Sequence, residues 1–477
     1  MKKRVIVIGA GAAGLIAAIR AAENGAEVTV LEHTEHIGKK LLMTGNGRCN
    51  YTNTDGGLSH YHSLSDMDGR FRASVLSAFT PEDTIAFFRK LGIIPRVKTY
   101  GYDEGGYVYP ASGEARSLLY ALKRYADSCN VSFLTNCSVS SVAYFHDKKG
   151  RPGYQLSTSL GIILAEALIL AGGSAAMPKT GSDGSSVFLP GAFGHTIYQF
   201  LPALCALRCV GSFFHGLKGV RCDCRLRLEV APPVPGTEER LRRELTESGA
   251  DHFGILSDTL LTGPYESYGE VQFTEYGLSG IPVFQLSRYV SLAVRLRRER
   301  YIILDVAPDF TEEELYRELL DRREHFAERT SEHFLNGLLP EKLCRMYLKR
   351  ANIRFEQGIY LLEEEQLKKL AALMKAFRIS VLDTNGFDSC QCCAGGVDTG
   401  EIDPGTMGSK EYEELYFAGE LVDVDGDCGG YNLQWAWSSG TVAGKAAARQ
   451  KSYREYPQQF HTNSETYRKT GEETGQN

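Results

Sequence analysis

The sequence predicts an α/β fold built around a Rossmann-like unit, and three stretches predict it. A strand, a glycine turn, a helix and a second strand follow one another at residues 4–32. A basic loop rich in glycine and amide follows at 38–53, and a strand, a glycine-rich loop and a small-residue helix stand at 415–448.

The first stretch reads RVIVIGAGAAGLIAAIRAAENGAEVTVLE. Val5 to Ile8 is a short apolar run of the kind a buried strand carries. Gly9, Gly11 and Gly14 then give G-x-G-x-x-G, Leu15 to Ala22 continue as a helix, and Val28 to Leu31 form a second strand closed by Glu32. The glycines allow a tight turn with close backbone approach, the helix N-terminus faces a pyrophosphate, and the acid accepts hydrogen bonds from a ribose diol. An acid at this place favours an unphosphorylated ribose, as in FAD or NAD, over NADP.

The loop GKKLLMTGNGRCNYTN has the apolar period of neither helix nor strand. Lys39, Lys40 and Arg48 can balance a pyrophosphate, while Gly45 and Gly47 let backbone amides approach a ring. Asn46 and Asn50 offer paired donors and acceptors. Such a loop directly after the second strand suits the longer of the two cofactors, so it is read as a wrap around a flavin, with FAD as the cofactor.

At the far end, Leu415 to Ala418 is strand-like, Gly419-Glu420 ends it, and a glycine-rich loop leads to Asn432. From Leu433 to about Ala448 small residues recur at helical spacing, which predicts close packing on a neighbouring helix. The helix N-terminus offers unpaired amides and a partial positive charge suited to the pyrimidine edge of an isoalloxazine, and Glu420 can hold ribityl hydroxyls.

The 477 residues exceed what one core supports, so two or three domains are expected. A net charge of -6 gives no general pull toward nucleic acid. Twelve cysteines without a secretory leader predict a reduced cytoplasmic enzyme whose thiols are mostly small buried hydrophobes. The apolar run from Val5 to Ile19 is too short to span a bilayer. Residues 196–305 look β-rich, with Val271–Phe273 and Tyr301–Leu304 as strands and GLSG (277–280) as a turn. Thr311 to Glu314 is a capping box opening a helix with Leu315, Leu319 and Phe326 on one face. Further helices are predicted at Glu341–Arg350 and, with Leu367, Leu370 and Leu373, up to Lys375. The resulting division is 1–195 (first segment of the cofactor domain), 196–305 (β-rich insert), 306–376 (small helical subdomain), 377–450 (second segment) and 451–477 (a polar tail expected to be disordered).

GAGAAG, GKKLLMTGNGRCNYTN, TGSDG, CAGGVDTGEIDPGTMGSK and LYFAGELVDVDGDCGGYNLQWAWSSG together resemble the BaiN/RdsA family of flavoproteins, a likeness running from about residue 3 to 448. The resemblance implies an FAD domain of the glutathione reductase type in two sequence segments, interrupted by an inserted substrate region. It places Gly9, Gly11, Ala13, Gly14 and Glu32 on the AMP half. Lys40, Gly47, Arg48, Asn50, Gly419, Glu420, Asn432 and Leu433 fall on the flavin half. Val139 sits where such folds touch adenine with backbone, and Gly172 lies in LILAGG, which lacks the family's usual threonine. Two departures stand out: Ile281 intervenes before Pro282 in GLSGIPVF, and CQCCAGG carries cysteines where the family has small or branched residues. Cys390 and Cys393 form a C-x-x-C, which leaves a dithiol redox pair open. Cys222 and Cys224 have no second matching pair, so no metal site is expected.

The chemistry expected of one flavin site is hydride transfer from reduced flavin to an acceptor, with a proton supplied by the protein. No second G-x-G-x-x-G is present, so NADH is expected as a transient donor at the flavin face. Tyr431, Cys428 and His195 are the candidate proton donors, though each is more readily read as a packing or hydrogen-bonded scaffold residue. The family implies two activities: NADH-dependent reduction of the double bonds of 3-oxo-Δ4 and 3-oxo-Δ4,6 bile-acid rings, and reduction of a ribosomal RNA uridine to dihydrouridine. The acidic balance and the aromatic segments at 99–110 and 211–217 favour a small apolar enone. Arg345, Lys349 and Arg350 keep the RNA reading open, with nucleic acid a partner only under that alternative. A third class is an FAD-holding protein without turnover.

Overall fold

Strand β1 (Arg4–Ile8) is apolar on both faces and is buried at Val5, Ile6 and Val7, as a central parallel strand must be. It pairs in parallel with β2 (Glu27–Leu31) on one side and, across the sheet, with β4 (Ala167–Leu170) on the other; β3 (Ser132–Leu134) extends the sheet beyond β2. Helix α1 (Ala12–Glu23) makes the crossover from β1 to β2, and Gly11 is its N-cap. The computed structural model describes residues 2–99, 106–247 and 252–450. Residues 100–105 of the aromatic segment and the tail after Gln450 lie outside the described residues.

The chain leaves this body through β5 (Ile197–Ala203) and enters a closed six-strand barrel. The barrel strands are β6 (Leu207–Cys209), β7 (Arg221–Val230), β8 (Tyr265–Phe273), β9 (Gly277–Ser279), β10 (Arg300–Asp305) and β11 (Phe377–Thr384), hydrogen-bonded in the order β6-β9-β8-β7-β10-β11. Helix α2 (Ile281–Arg295) follows β9, and Val283, Leu286 and Val290 face the barrel core with Leu226, Phe273 and Ile302. GLSG is thus a strand and a helix cap rather than a turn. Gly277 enters the sheet at φ +153°, and a Cβ there would lie 2.2 Å from the Leu207 carbonyl oxygen.

Helices Glu312–His325, Glu341–Arg350 and Glu364–Lys375 follow β10, the first opened by the Thr311/Glu314 capping box. Leu315, Leu319, Leu343, Leu367 and Leu370 join the same buried cluster as the barrel interior. Because β11 pairs with β10 and β6, the division drawn at residue 377 assigns a barrel strand to the second segment; the hydrogen bonding gives that strand to the insert. The chain returns through β12 (Cys392–Val397), which runs antiparallel to β5.

The two ends then meet. β13 (Leu415–Phe417) pairs in parallel with β4, and among the described residues the sheet has seven strands. Helix α3 (Tyr431–Ala447) crosses α1 at glycines: a Cβ on Gly440 would lie 2.5 Å from the Ala13 carbonyl oxygen, and one on Gly444 2.2 Å from that of Ala17. Trp437 Nε1 donates to the Tyr51 carbonyl at 2.8 Å, and the buried Lys3 ammonium holds Glu414 at 2.6 Å. Asp423 accepts from the backbone N–H of Leu64 and Ser65 at 2.8 Å and of Gly395 at 3.1 Å. The α/β body is a Rossmann-like domain made from both ends of the chain, with the barrel inserted between them.

Candidate functional site

The glycine turn after β1 is thin because it has to be. A Cβ on Gly9, which lies at φ +103°, would meet the Ala171 carbonyl oxygen at 2.4 Å, and one on Gly14 would lie 1.9 Å from the Gly9 oxygen. α1 begins without a side-chain cap, which leaves its first amides to face outward. Glu32, buried at the end of β2, accepts from Ala10 N at 3.0 Å and from Thr34 N and Oγ1 at 2.9 Å. The protein thus fixes the carboxylate across the turn.

These groups open on a cavity of about 2160 Å³ between the Rossmann-like domain and the barrel. Gly9, Gly11, Ala13, Glu32, Val139 and Gly172 line it, and so do Lys40, Arg48, Asn50, Gly419, Glu420, Asn432 and Leu433. Gly14 and Gly47 do not: Gly14 lets α1 press on the turn, and Gly47 (φ +80°) bends the loop. That loop is partly helical, contrary to its expected irregularity. Lys39–Met43 forms a short helix, and Gly45, Asn46 and Gly47 follow in the left-handed region that glycine and asparagine tolerate.

Glu420 accepts from Lys40 Nζ at 2.5 Å and from Ser174 Oγ at 2.6 Å. Burial disfavours the Lys40 charge, but the Glu420 carboxylate outweighs it and holds the ammonium above its ordinary range. Asn50 Oδ1 is buried in the cavity wall with no hydrogen-bond partner among the described residues. Such an orphan acceptor matches a ring N–H donor. α3 starts at Gly430 (φ +97°), again with no side-chain cap, so its first amides add to the wall near Asn432 and Leu433. The residues present therefore fit FAD: an anion-seeking helix start, an acid for the ribose, and an orphan acceptor beside a second helix start. Ligand sites usually measure about 300–1,000 Å³, so the cavity has room for a second molecule as well.

The proton-donor candidates separate. Cys428 lines the cavity, its backbone N–H donating to Gln285 Oε1 at 3.0 Å. Tyr431 and His195 are not in the wall. Tyr431 is buried behind the loop, its ring stacked on His60 at 4.4 Å. His195 is buried with Nδ1 2.9 Å from Glu401 and Nε2 3.1 Å from Ser409 Oγ, so both nitrogens are committed to the scaffold. Burial pushes the Cys393 thiol well above the usual cysteine range, which makes its thiolate scarce, and Cys390, the other member of the C-x-x-C, is buried with it in one apolar cluster. Among the described residues no three His, Cys, Asp or Glu gather for a metal, and no helix is long and apolar enough to cross a membrane.

Sequence reasoning missed Asp427, which lines the cavity and binds His60 Nδ1 at 3.0 Å and His62 Nε2 at 2.9 Å. The partners lie 367 and 365 positions apart, so no local pattern signals them. His60 Nε2 is also 2.9 Å from Asp55, so both ring nitrogens face carboxylates and the imidazolium is favoured. Asp427 chiefly, then Asp55, raises the His60 pKa against burial. A raised folded value means the stabilisation is full below the unfolded pKa of about 6.5 and is lost as pH rises through the folded value. Thermal midpoints of wild type and His60→Gln should therefore differ most near about pH 6 and converge toward about pH 9. A gap that widens with pH would contradict the assignment.

Comparison with known proteins adds the following. The HI0933-like protein Rossmann domain family matches residues 3–446. The chain is 36% identical over 447 residues, covering 93% of it and 99% of the relative, to the 3-dehydro-bile acid delta(4,6)-reductase of Clostridium scindens. It is 28% identical over 450 residues to the ribosomal RNA dihydrouridine synthase of Haemophilus influenzae, covering 93% of this chain and 98% of that one. The Escherichia coli ribosomal RNA dihydrouridine synthase is likewise 28% identical, over 444 residues, 91% of this chain and 95% of the relative.

Proposed function

This chain belongs to the HI0933-like family, and from that premise we propose that it is an FAD-dependent reductase acting with NADH on a conjugated C=C bond, with 3-oxo-Δ4 and 3-oxo-Δ4,6 bile-acid (steroid) rings as substrates. The observation that carries the reading is the shared cavity: one wall is a dinucleotide cradle, and the other is supplied by the inserted barrel. The higher identity to the bile-acid reductase than to the RNA synthases leans the same way.

FAD, when bound, supplies a hydride acceptor and donor at its ring. The chain's own residues do the rest. The α1 amides and Glu32 hold the AMP half, and Lys40, charge-neutralised by Glu420, stands with Arg48 and Asn50 on the flavin half. Cys428 is the candidate in the wall for delivering the proton. With no second nucleotide fingerprint in the sequence, NADH would enter the same cavity transiently.

Glu32→Ala should weaken FAD binding about 10- to 150-fold, the range expected for about 1.5–3 kcal/mol of lost hydrogen bonding to a charged group; equilibrium dialysis of the apoprotein measures it. The activity itself is tested by anaerobic NADH reduction of the purified protein followed by a 3-oxo-Δ4 steroid, which should reoxidise the flavin with one steroid saturated per NADH consumed. No steroid turnover, together with dihydrouridine lost from the ribosomal RNA of a deletion strain, would move the assignment to the RNA enzymes. A flavin that no donor bleaches would leave a cofactor-holding protein.

A further inference from the structure

We propose that the first turn of α2 and the facing edge of β7 and β8 form the substrate subsite, and that it takes a flat apolar polycycle whose polar groups inside the cavity are uncharged. The inference rests on the reductase reading above and names where and how its substrate is held.

Ile281 is 45% exposed and Tyr268 37% exposed, yet both stand in the cavity wall rather than on the outer surface. Apolar side chains left open in a concavity mark a place for an apolar ligand. Ile281 is held there by backbone geometry. Gly280 caps α2 at φ +109°, and a Cβ on it would lie 2.4 Å from the Glu270 carbonyl oxygen, so the start of α2 is pressed onto β8.

One turn further on, Phe284 and Cys428 pack against Leu204 and Cys392 as a single apolar patch that joins insert to cradle. Gln285 accepts from Cys428 N, and Arg288 holds Asp425 through two hydrogen bonds at 2.9 and 3.0 Å. α2 thus runs from the open apolar surface to the loop that ends at the flavin-side residues Asn432 and Leu433. A ring lying on Ile281 and Phe284 is beside the cradle.

The barrel edge supplies the polar side through Arg221, Asp223, Glu270 and Gln272. Arg221 is paired with Glu270 at 2.7 Å, so one cation stands against two carboxylates. That balance repels carboxylate and phosphate but accepts hydroxyl donors. Any carboxylate on a substrate tail is left in solvent, and a polyanionic RNA backbone is disfavoured at this edge.

The experiment is calorimetric titration of the FAD-loaded protein, without NADH, using an uncharged hydroxylated 3-oxo-Δ4 steroid. Phe284→Ala and Ile281→Ser should each weaken binding about tenfold or more, the lower bound for withdrawing a large apolar side chain from a ligand, with flavin content and absorbance unchanged. Ile281→Ser serves if Phe284→Ala does not fold. Asp223→Asn, which removes a hydroxyl acceptor and a negative charge together, should weaken binding of that steroid and strengthen binding of the matching steroid carboxylate. Wild-type affinity in both apolar variants, or tighter wild-type binding of the carboxylate than of the uncharged steroid, overturns the subsite. No binding of any steroid by wild type overturns the steroid reading itself, and this inference with it.

Discussion

Gly444→Ala is expected to destabilise the protein by about 2 kcal/mol. Alanine is the better helix former by about 1 kcal/mol, so propensity alone predicts a gain. Packing predicts the reverse. The new Cβ would lie 2.2 Å from the Ala17 oxygen and 2.9 Å from its Cα and carbonyl carbon, all backbone atoms of α1. Overpacking of a tight core costs about 1–3 kcal/mol, and a clash against rigid backbone belongs at the top of that range. α1 can yield only by moving away from α3, and its N-terminus is where the pyrophosphate is expected, so flavin content should fall together with the urea midpoint. Gly216→Ala is the control, because nothing lies within 4 Å of a Cβ placed there. If Gly444→Ala unfolds at the wild-type midpoint, the two ends of the chain are not joined as described.

Arg288→Ala should cost about 3–5 kcal/mol, the range for removing one partner of a buried ion pair. The Arg288 and Asp425 side chains are 10% and 2% exposed, so solvent cannot replace the lost guanidinium. Burial opposes the charge on Arg288, but Asp425 keeps it protonated, and the two form a bidentate pair across the insert and the Rossmann-like domain. Arg288→Ala with Asp425→Ala should recover part of the loss, because the orphaned carboxylate is gone; a non-additivity above about 1 kcal/mol in the cycle would show it. Strict additivity by denaturant unfolding would show that the pair does not act as one unit.

Both residues illustrate what the sequence could convey. The fingerprint around Gly9 to Glu32 is local, each residue's role following from neighbours within one βαβ unit, and the strands and helix appear where the periods put them. The helices at Glu341–Arg350 and Glu364–Lys375 were legible for the same reason. Pairings that depend on the closed barrel were not: GLSG carries two glycines and so reads as a turn, although Leu278 faces Leu207 across a ladder. Phe377–Thr384 follows a helix and precedes the cofactor segment, and nothing local says that its partners lie at 301–304 and 207–209. His195 sits in a glycine- and threonine-flanked stretch that looks accessible, whereas Glu401 and Ser409, more than 200 positions later, claim both its nitrogens. Asp427 escaped notice because its meaning depends on two histidines at the other end of the polypeptide.

The insert leaves and rejoins the body through β5 and β12, which lie side by side, with Ile197 opposite Val397 and Ala203 opposite Cys392. Opposed residues of an antiparallel pair have Cα atoms only about 5 Å apart. A detour of that form resembles a plug on a two-pin socket: whatever is spliced between the pins, the base beneath need not stretch. The span between the pins stays fixed whatever length of chain is spliced there, so changes confined to the insert need not disturb the parallel strands beneath.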